Sequence, residues 1–214
     1  MLAENTAVLP GAIAEQLRAS VISQEIVPGA SVTESAVALR FGIARATARI
    51  AIDRLVADGI LRREAHHAAR VPELTSADII DLFEARSVLE CAAMASLATA
   101  GTIPAEALRA HRALPASEDF ALHDIAFHRS LVGGQPSTRL AHMHNLLMGE
   151  VELCIGQVQA AHLLTAAEVT AQHQRILDAI TSGDADSAAQ LTREHIAFAR
   201  DALLTHIDPA LEAE

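Results

Sequence analysis

Residues 42–55 read GIARATARIAIDRL and combine a glycine, three arginines and several apolar side chains. Gly42 favours a tight turn, because glycine adopts the left-handed backbone conformation at little cost. Arg45 and Arg49 follow four residues apart, a spacing that places both side chains on one face of a helix. The segment therefore predicts a helix over about residues 44–58 that begins directly after a turn.

The preceding segments predict two further helices. Apolar periodicity indicates a helix over residues 10–25 and a short one that is capped by Ser31 or Thr33 and runs to about Arg40. In the helix after Gly42, four residues are predicted to face the core. They are Ile50, Ile52, Leu55 and Val56.

Two short extended pieces follow, at residues 60–63 and 70–72, on either side of a polar loop. This pattern predicts a β-hairpin, or wing. Three helices with a tight turn between the second and third, followed by a wing, describe a winged helix-turn-helix. We expect this DNA-binding domain to span residues 1–73.

The charge distribution is compatible with DNA binding, although the chain has a formal net charge of -11. Residues 1–75 contain eight arginines and eight acidic residues, so the negative charge belongs to the remainder of the chain. Residues 40–70 contain seven arginines and only three acidic residues. The chain thus has a locally cationic segment of the kind that binds nucleic acid.

From residue 76 onward only helical periodicity is present. It predicts helices over about 76–99, 104–113, 117–132, 136–162, 165–182 and 184–206. The connections are short, so neighbouring helices are expected to pack antiparallel. The fold class is therefore predicted to be mainly α, with the winged helix-turn-helix followed by a bundle of about six helices in residues 76–208.

Sequence features favour a cytoplasmic protein. The N-terminus does not resemble a signal peptide, and the most apolar segment is too short to cross a bilayer. Two cysteines in 214 residues do not form a disulfide framework. We therefore expect no membrane partner.

The third helix contains the candidate DNA contacts. In a helix-turn-helix its N-terminal end enters the major groove, where arginine can bind guanine O6 and N7. The candidate contacts are Arg45 and Arg49 for bases, Thr47 for a phosphate or a thymine methyl, Arg40 and Arg62 for the backbone, and His67 for the minor groove. The alternative is a solvated arginine face on an ordinary helix.

This part of the chain resembles the DNA-binding domain of GntR-type bacterial transcription regulators. The resemblance is in PGASVTE (28–34), ALRFGIAR (38–45), Arg49, and the pairs 54–55 and 58–59. It implies that Arg45 and Arg49 contact double-stranded operator DNA. Alanine replaces the usual polar residues at 44, 46 and 48, and the usual wing glycine is absent from residues 66–69.

The second candidate site is a metal centre. Asp124 and His128 are four residues apart and share a helix face. His173 and His195 lie on apolar stripes of two later helices. One buried aspartate and three buried histidines in one bundle indicate a common site, because each would otherwise need its own polar partner.

This second part resembles the FCD ligand-binding domain of the FadR-type branch of GntR regulators. The residues concerned include Arg86 with Glu90, Asp124, Phe127-His128, residues 173–180 and His195. The resemblance implies an all-helical domain that binds a divalent metal through Asp124, His128, His173 and His195. We expect zinc first, with nickel or manganese as alternatives. Six expected helices resemble the vanillate-regulator-like subgroup.

A cationic metal site next to Arg86 would bind a small organic acid as effector. The alternative for Arg86 is a salt bridge with Glu90. His144 shares an apolar stripe and is a candidate pocket residue or a hydrogen-bonded core histidine. The other histidines of the helical part are predicted to lie at the surface or at helix ends. They are His111, His123, His142, His162 and His206.

The predicted function is a metabolite-responsive transcription regulator that acts as a repressor. GntR-type proteins are homodimeric as a rule, and a palindromic operator requires two-fold symmetry. Two alternatives remain open from the residues. The metal could activate water in an enzyme, or it could only brace the bundle.

Overall fold

The computed structural model describes residues 10–117 and 120–208. The chain divides into two compact units, Met1–Glu73 and Leu74–Glu214. We call them the N-terminal unit and the helical unit and describe each by itself.

From residue 10 onward, where the structure describes it, the N-terminal unit contains three helices and a two-stranded sheet. Its elements are α1 Pro10–Ile22, β1 Ser31–Val32, α2 Glu34–Phe41, α3 Arg45–Ala57 and β2 Ala69–Arg70. The Thr33 side chain caps α2 by accepting a hydrogen bond from Ala36 N. Gly42 ends α2 in the left-handed conformation, with φ of 63°. These two local signals place the tight turn where the sequence predicts it.

The core of this unit forms between α1 and α3. Ile13, Leu17 and Val21 are buried from α1, and Ala48, Ala51, Ile52 and Leu55 from α3. The prediction that Ile50 faces inward is wrong, because its side chain is 55% exposed. The small residues Ala48 and Ala51 take the inward face instead.

The wing is a hairpin closed by one bridge. Arg62 and Arg70 exchange two backbone hydrogen bonds of 2.9 Å. The returning strand β2 also pairs antiparallel with β1, with Ser31 opposite Arg70 and Val32 opposite Ala69. The two-residue strand β1 has no period-2 pattern long enough to be recognised in the sequence, and only its pairing with β2 defines it.

The helical unit has six α-helices in its described residues, as predicted. They are α4 Ser76–Ala100, α5 Ala105–Ala113, α6 Phe120–Gly134, α7 Thr138–Ala160, α8 Ala166–Thr181 and α9 Ala185–Ile207, with a 3₁₀ turn at Leu114–Ala116. Capping boxes start α4 at Thr75 and α8 at Thr165. Helix α4 packs against α6, α7, α8 and α9 and is therefore the central helix of the bundle. The mainly α fold class is confirmed.

No single helix in the described ranges meets the length and hydropathy expected of a membrane span. Only α4 taken together with Ala105–Ala116 meets them, and the pair is bent by 115° between them.

Candidate metal centre and nucleic-acid interface

Three helices of the helical unit bring the four predicted metal ligands together. Helix α6 contributes Asp124 and His128, α8 contributes His173, and α9 contributes His195. All four are buried, with exposed fractions between 0% and 4%. One donor atom from each lies within 4.8 Å of the others. The packing of α6, α8 and α9 therefore creates one site from residues up to 71 positions apart in the sequence.

The spacing of the donor atoms suits a metal ion. The Oδ1 atom of Asp124 lies 3.1 Å from Nε2 of His173, 3.7 Å from Nε2 of His128 and 3.8 Å from Nε2 of His195. The Nε2 atoms of His128 and His195 are 3.0 Å apart. Ligand atoms at about 2.1 Å from one ion and at right angles to each other lie about 3 Å apart. The four donors fit one divalent cation with little movement.

Four buried atoms of the cluster residues also lack hydrogen-bond partners among the described residues. They are Oδ2 of Asp124, Nδ1 of His128 and both ring nitrogens of His173. The contact between His173 Nε2 and Asp124 Oδ1 is close, but its angle is not that of a hydrogen bond. A buried polar atom without a partner costs about 1–3 kcal/mol, which coordination to a cation would offset.

The protonation states favour metal binding. Burial lowers the pKa of His173 to about 4 and that of His195 well below its usual range. Both imidazoles are therefore neutral at pH 7, the form that donates a lone pair. Burial by itself would raise the pKa of Asp124, but His173 and the neighbouring His128 and His195 lower it overall. The Asp124 carboxyl is thus anionic at neutral pH.

The far sides of the three imidazoles have different neighbours. Nδ1 of His128 lies 2.6 Å from Oε2 of Glu90, and Nδ1 of His195 lies 2.6 Å from Oε1 of Gln172. The ring of His173 stacks on Phe127 with centroids 3.8 Å apart. Acceptors behind metal-binding histidines orient the ring and its tautomer.

Arg86 and His144 both contact Glu90. Arg86 Nε donates a hydrogen bond of 2.7 Å to Oε1 of Glu90, and His144 Nε2 lies 3.0 Å from the same oxygen. All three side chains are at most 1% exposed. The alternative of an Arg86–Glu90 salt bridge is therefore present in the structure. Nη1 of Arg86 is buried and has no hydrogen-bond partner among the described residues.

His111 lies in the last turn of α5, which agrees with the helix-end alternative of the prediction, but it is not at the surface. His111 is 9% exposed, and its Nε2 atom lies 3.0 Å from Oε1 of Gln174. It lies on the buried side of α5, where its ring is 6.1 Å from that of Phe127. The other histidines predicted at the surface are exposed or half-buried: His123, His142, His162 and His206.

In the N-terminal unit, the start of α3 presents the predicted base contacts. Arg45 is the first residue of α3 and is exposed, with no hydrogen bond or ion pair to any described residue. Arg49, also exposed, donates hydrogen bonds of 2.7 and 3.1 Å to the two carboxylate oxygens of Glu34. Thr47 is half-buried between them.

Arg40 and Arg62, the two arginines predicted to contact the DNA backbone, have different surroundings within the unit. Arg40 donates to both carboxylate oxygens of Glu25 at 2.8 Å and to Ser20 Oγ at 2.8 Å. Arg62 has an exposed side chain beside the wing bridge. Arg40 must exchange carboxylate for phosphate to contact DNA.

The loop of the wing adopts a strained conformation at a histidine. His66 has φ of 66°, the left-handed region that favours glycine. The predicted minor-groove residue His67 follows it and is exposed, with Nδ1 2.9 Å from its neighbour Ala65 O. The turn that glycine provides in the resembling family is thus made here by His66.

Two protein-family models match the chain. The model "FCD domain" matches residues 81–198, more than half of the chain, and the model "Bacterial regulatory proteins, gntR family" matches residues 9–71. The chain is a GntR-family regulator with an FCD domain. The resemblance seen in the sequence is confirmed in both parts and in the same order.

Similar proteins include other regulators. A protein of Paenarthrobacter nicotinovorans named "Probable D-xylose utilization operon transcriptional repressor" is 29% identical over 176 residues, covering 79% of this chain and 77% of that protein. A helix-turn-helix transcriptional regulator of Streptomyces ambofaciens is 26% identical over 193 residues, covering 85% of this chain and 79% of that protein.

Solved structures share the fold. A GntR regulator from Rhodococcus sp. RHA1 has a TM-score of 0.75 at 24% identity, covering 91% of this chain and 97% of that one. E. coli McbR/YncC has a TM-score of 0.76 at 18% identity, covering 95% and 100%. From its family, this GntR regulator is a DNA-binding transcription regulator.

Glu90 and Gln172 lie next to the candidate metal centre, and the sequence does not predict either contact. Spacing along α4 pairs Glu90 only with Arg86, and no sequence pattern distinguishes Gln172. The available signal is weak: Glu90 is a carboxylate within the apolar run of α4, and Gln172 directly precedes a metal ligand. Neither position reveals which histidine it would meet.

Proposed function

We propose that this GntR regulator is a metabolite-responsive repressor whose helical unit binds a divalent metal and a small carboxylate effector. The observation that supports it most is the convergence of four buried donors, from Asp124, His128, His173 and His195, within 4.8 Å. In this assignment, residues 1–73 form the DNA-binding domain and residues 76–208 the sensing domain.

Zinc is the first candidate for the metal, because three imidazoles and one carboxylate match its preferred donors. Nickel and manganese are the alternatives. When bound, the ion would supply positive charge and open coordination positions for a carboxylate. Asp124 would neutralise only part of that charge, so the site would remain cationic.

A small organic acid fits the charge of this site. The buried Arg86 has an Nη1 atom without a hydrogen-bond partner in the described part of the chain, and His144 contacts the same glutamate, Glu90. A guanidinium binds a carboxylate through charge-assisted hydrogen bonds, which are the stronger class in a buried environment. We assign Arg86 to direct effector contact and His144 to the lining of the pocket.

The DNA contacts are assigned to the exposed face of α3 and its surroundings. Arg45 would contact bases directly, and Arg49 would do so after leaving Glu34. The assigned supporting contacts are Arg40, Thr47, Arg62 and His67. A homodimer would bind a palindromic operator in the cytoplasm, and the effector would release it by binding the DNA-incompetent arrangement more tightly.

A metal-dependent activity is not proposed. The relatives named above are transcription regulators, and the family joins this domain to a DNA-binding domain. A site that binds its ligand and releases DNA needs no turnover.

The test combines metal analysis with DNA binding. Mass spectrometry of protein purified without added metal should give close to one divalent ion per chain. Fluorescence anisotropy with the DNA upstream of its own gene should then show tight binding that a screen of small carboxylic acids weakens. Protein without metal, and unable to take up zinc, would refute the metal centre. A metal-loaded protein whose DNA binding responds to no carboxylate would instead support a metal that only braces the bundle.

A further inference from the structure

Glu90 occupies an unusual place in the helical unit. Its side chain is 0% exposed, and it lies on α4, the central helix, which provides none of the four predicted ligands. One of its oxygens, Oε1, accepts a hydrogen bond from Nε of Arg86 and lies 3.0 Å from Nε2 of His144. The other, Oε2, lies 2.6 Å from Nδ1 of His128. A single carboxylate therefore contacts a predicted metal ligand and the predicted effector residues.

The contact with His128 determines which ring nitrogen faces the cluster. Nδ1 of His128 is directed to Glu90, whereas Nε2 lies 3.0 Å from His195 Nε2 and 3.7 Å from Asp124 Oδ1. The contact is short, although its angle is not that of a regular hydrogen bond. A carboxylate can only accept, and two lone pairs at 2.6 Å would repel, so a neutral imidazole in this position must hold its hydrogen on Nδ1. The lone pair of Nε2 then faces the position between the four donors.

His195 shows the same arrangement with a different acceptor. Its Nδ1 atom lies 2.6 Å from the amide oxygen of Gln172, and its Nε2 atom faces the cluster. His173 differs, because no carboxylate or amide oxygen among the described residues is found in hydrogen-bond contact with its Nδ1 atom and the ring stacks on Phe127 instead. Glu90 is thus the charged member of the two acceptors that stand behind the cluster.

Arg86 compensates the buried negative charge of Glu90. An isolated buried carboxylate would be costly, but Arg86 supplies a cation 2.7 Å from Oε1. That bond uses Nε, and Nη1 of Arg86 has no hydrogen-bond partner in residues 10–117 and 120–208. The same carboxylate therefore orients His128 and presents the guanidinium edge of Arg86.

We propose that Glu90 is a positioning residue for the metal centre: it holds His128 with the hydrogen on Nδ1 and the Nε2 lone pair directed at the ion. This inference rests on the proposed metal-binding function and adds a role that none of the four ligands can perform. Removal of such an acceptor lowers metal affinity by roughly 10–100-fold.

The test compares Glu90→Gln with Glu152→Gln. Glu152 is also buried, at 2% exposed, and accepts a hydrogen bond of 2.9 Å from Arg129, so it matches Glu90 in burial and in the charge removed. Zinc affinity is measured on the full chain by competition with a chromophoric chelator. Glu90→Gln should weaken zinc binding by roughly 10–100-fold, and Glu152→Gln should leave it unchanged.

A second measurement tests the orientation without metal, first in the wild-type protein and then in the variant. Nitrogen-15 NMR of the histidine side chains in chelator-treated wild-type protein should show His128 with its hydrogen on Nδ1. In Glu90→Gln the amide can donate to Nδ1, so the hydrogen should move toward Nε2.

The outcomes separate this inference from the proposed function. Wild-type protein that binds no zinc refutes the metal centre and Glu90's role toward it. Wild-type protein that binds zinc, with equal affinity in Glu90→Gln, overturns only the role of Glu90. If Glu90→Gln does not fold, a wild-type His128 with its hydrogen on Nε2 overturns the inference and one with it on Nδ1 supports it.

Discussion

Arginine–carboxylate pairs occur in both units of this protein, and their surroundings are opposite. Arg49 and Glu34 meet at 2.7 Å at the surface, where their side chains are 64% and 32% exposed. Arg86 and Glu90 also meet at 2.7 Å, but at 1% and 0% exposure. Water and salt screen the first pair, so it can open to accept DNA. The second pair is desolvated, and if one member left, the other would remain as a buried charge without its partner.

The largest expected effect is the loss of the buried arginine. Arg86→Ala should destabilise the helical unit by about 3–5 kcal/mol, because Glu90 would keep its buried charge without its cation. Arg49→Ala should change the stability of the N-terminal unit by less than about 1 kcal/mol. Urea unfolding followed by circular dichroism measures both. Equal effects would mean that burial does not separate the two pairs.

The next effect concerns the metal ligands. Zinc at 100–1,000 times its dissociation constant should stabilise the wild-type protein by about 2.7–4.1 kcal/mol, and His173→Ala should lose that gain. His142→Ala is the control, because His142 is an exposed histidine on α7 in the same unit. Thermal unfolding with zinc and with a chelator gives the result. An undiminished zinc response in His173→Ala would exclude His173 from the site.

A smaller effect is expected at the surface of α3. Arg45→Ala and Arg49→Ala should each weaken operator binding by about 1–3 kcal/mol, because each removes a candidate base contact. Arg54→Ala is the matched control, since Arg54 is an arginine near the other end of the same helix, paired with Glu15. Anisotropy at fixed salt measures the affinity, while zinc binding should stay the same. Undisturbed DNA binding in both variants would refute this face as the interface.

The smallest effect lies at the first turn of α3. Ala44 is the N-cap of this helix and makes no side-chain hydrogen bond. Ala44→Ser should stabilise the N-terminal unit by about 0.5–2 kcal/mol, because a serine hydroxyl can accept from a free N–H of the first turn. Thermal unfolding measures the gain. No gain would show that the backbone at residue 44 does not suit a serine cap.

The sequence predicted the regular parts of this protein well, for local reasons. Gly101 and Thr165 are end signals that act within one turn of their own helix, and the structure has a helix end at both. Ile50 shows the limit of such patterns, because an apolar residue at a plausible spacing is exposed where alanines fill the inward face. The strand β1 and the buried His111 depend on partners far away in the chain.

By itself, the sequence determined the helices, the family and the positions of four candidate ligands, because helical spacing and motif residues are local properties. Only the tertiary structure decided that Oε2 of Glu90 faces His128, that Gln172 faces His195, and that Arg49 meets Glu34 at the surface while Arg86 meets Glu90 in the interior. Three of these contacts join different helices, and the fourth, between Arg86 and Glu90, is distinguished by its burial. Contacts between helices and burial both depend on how the helices pack.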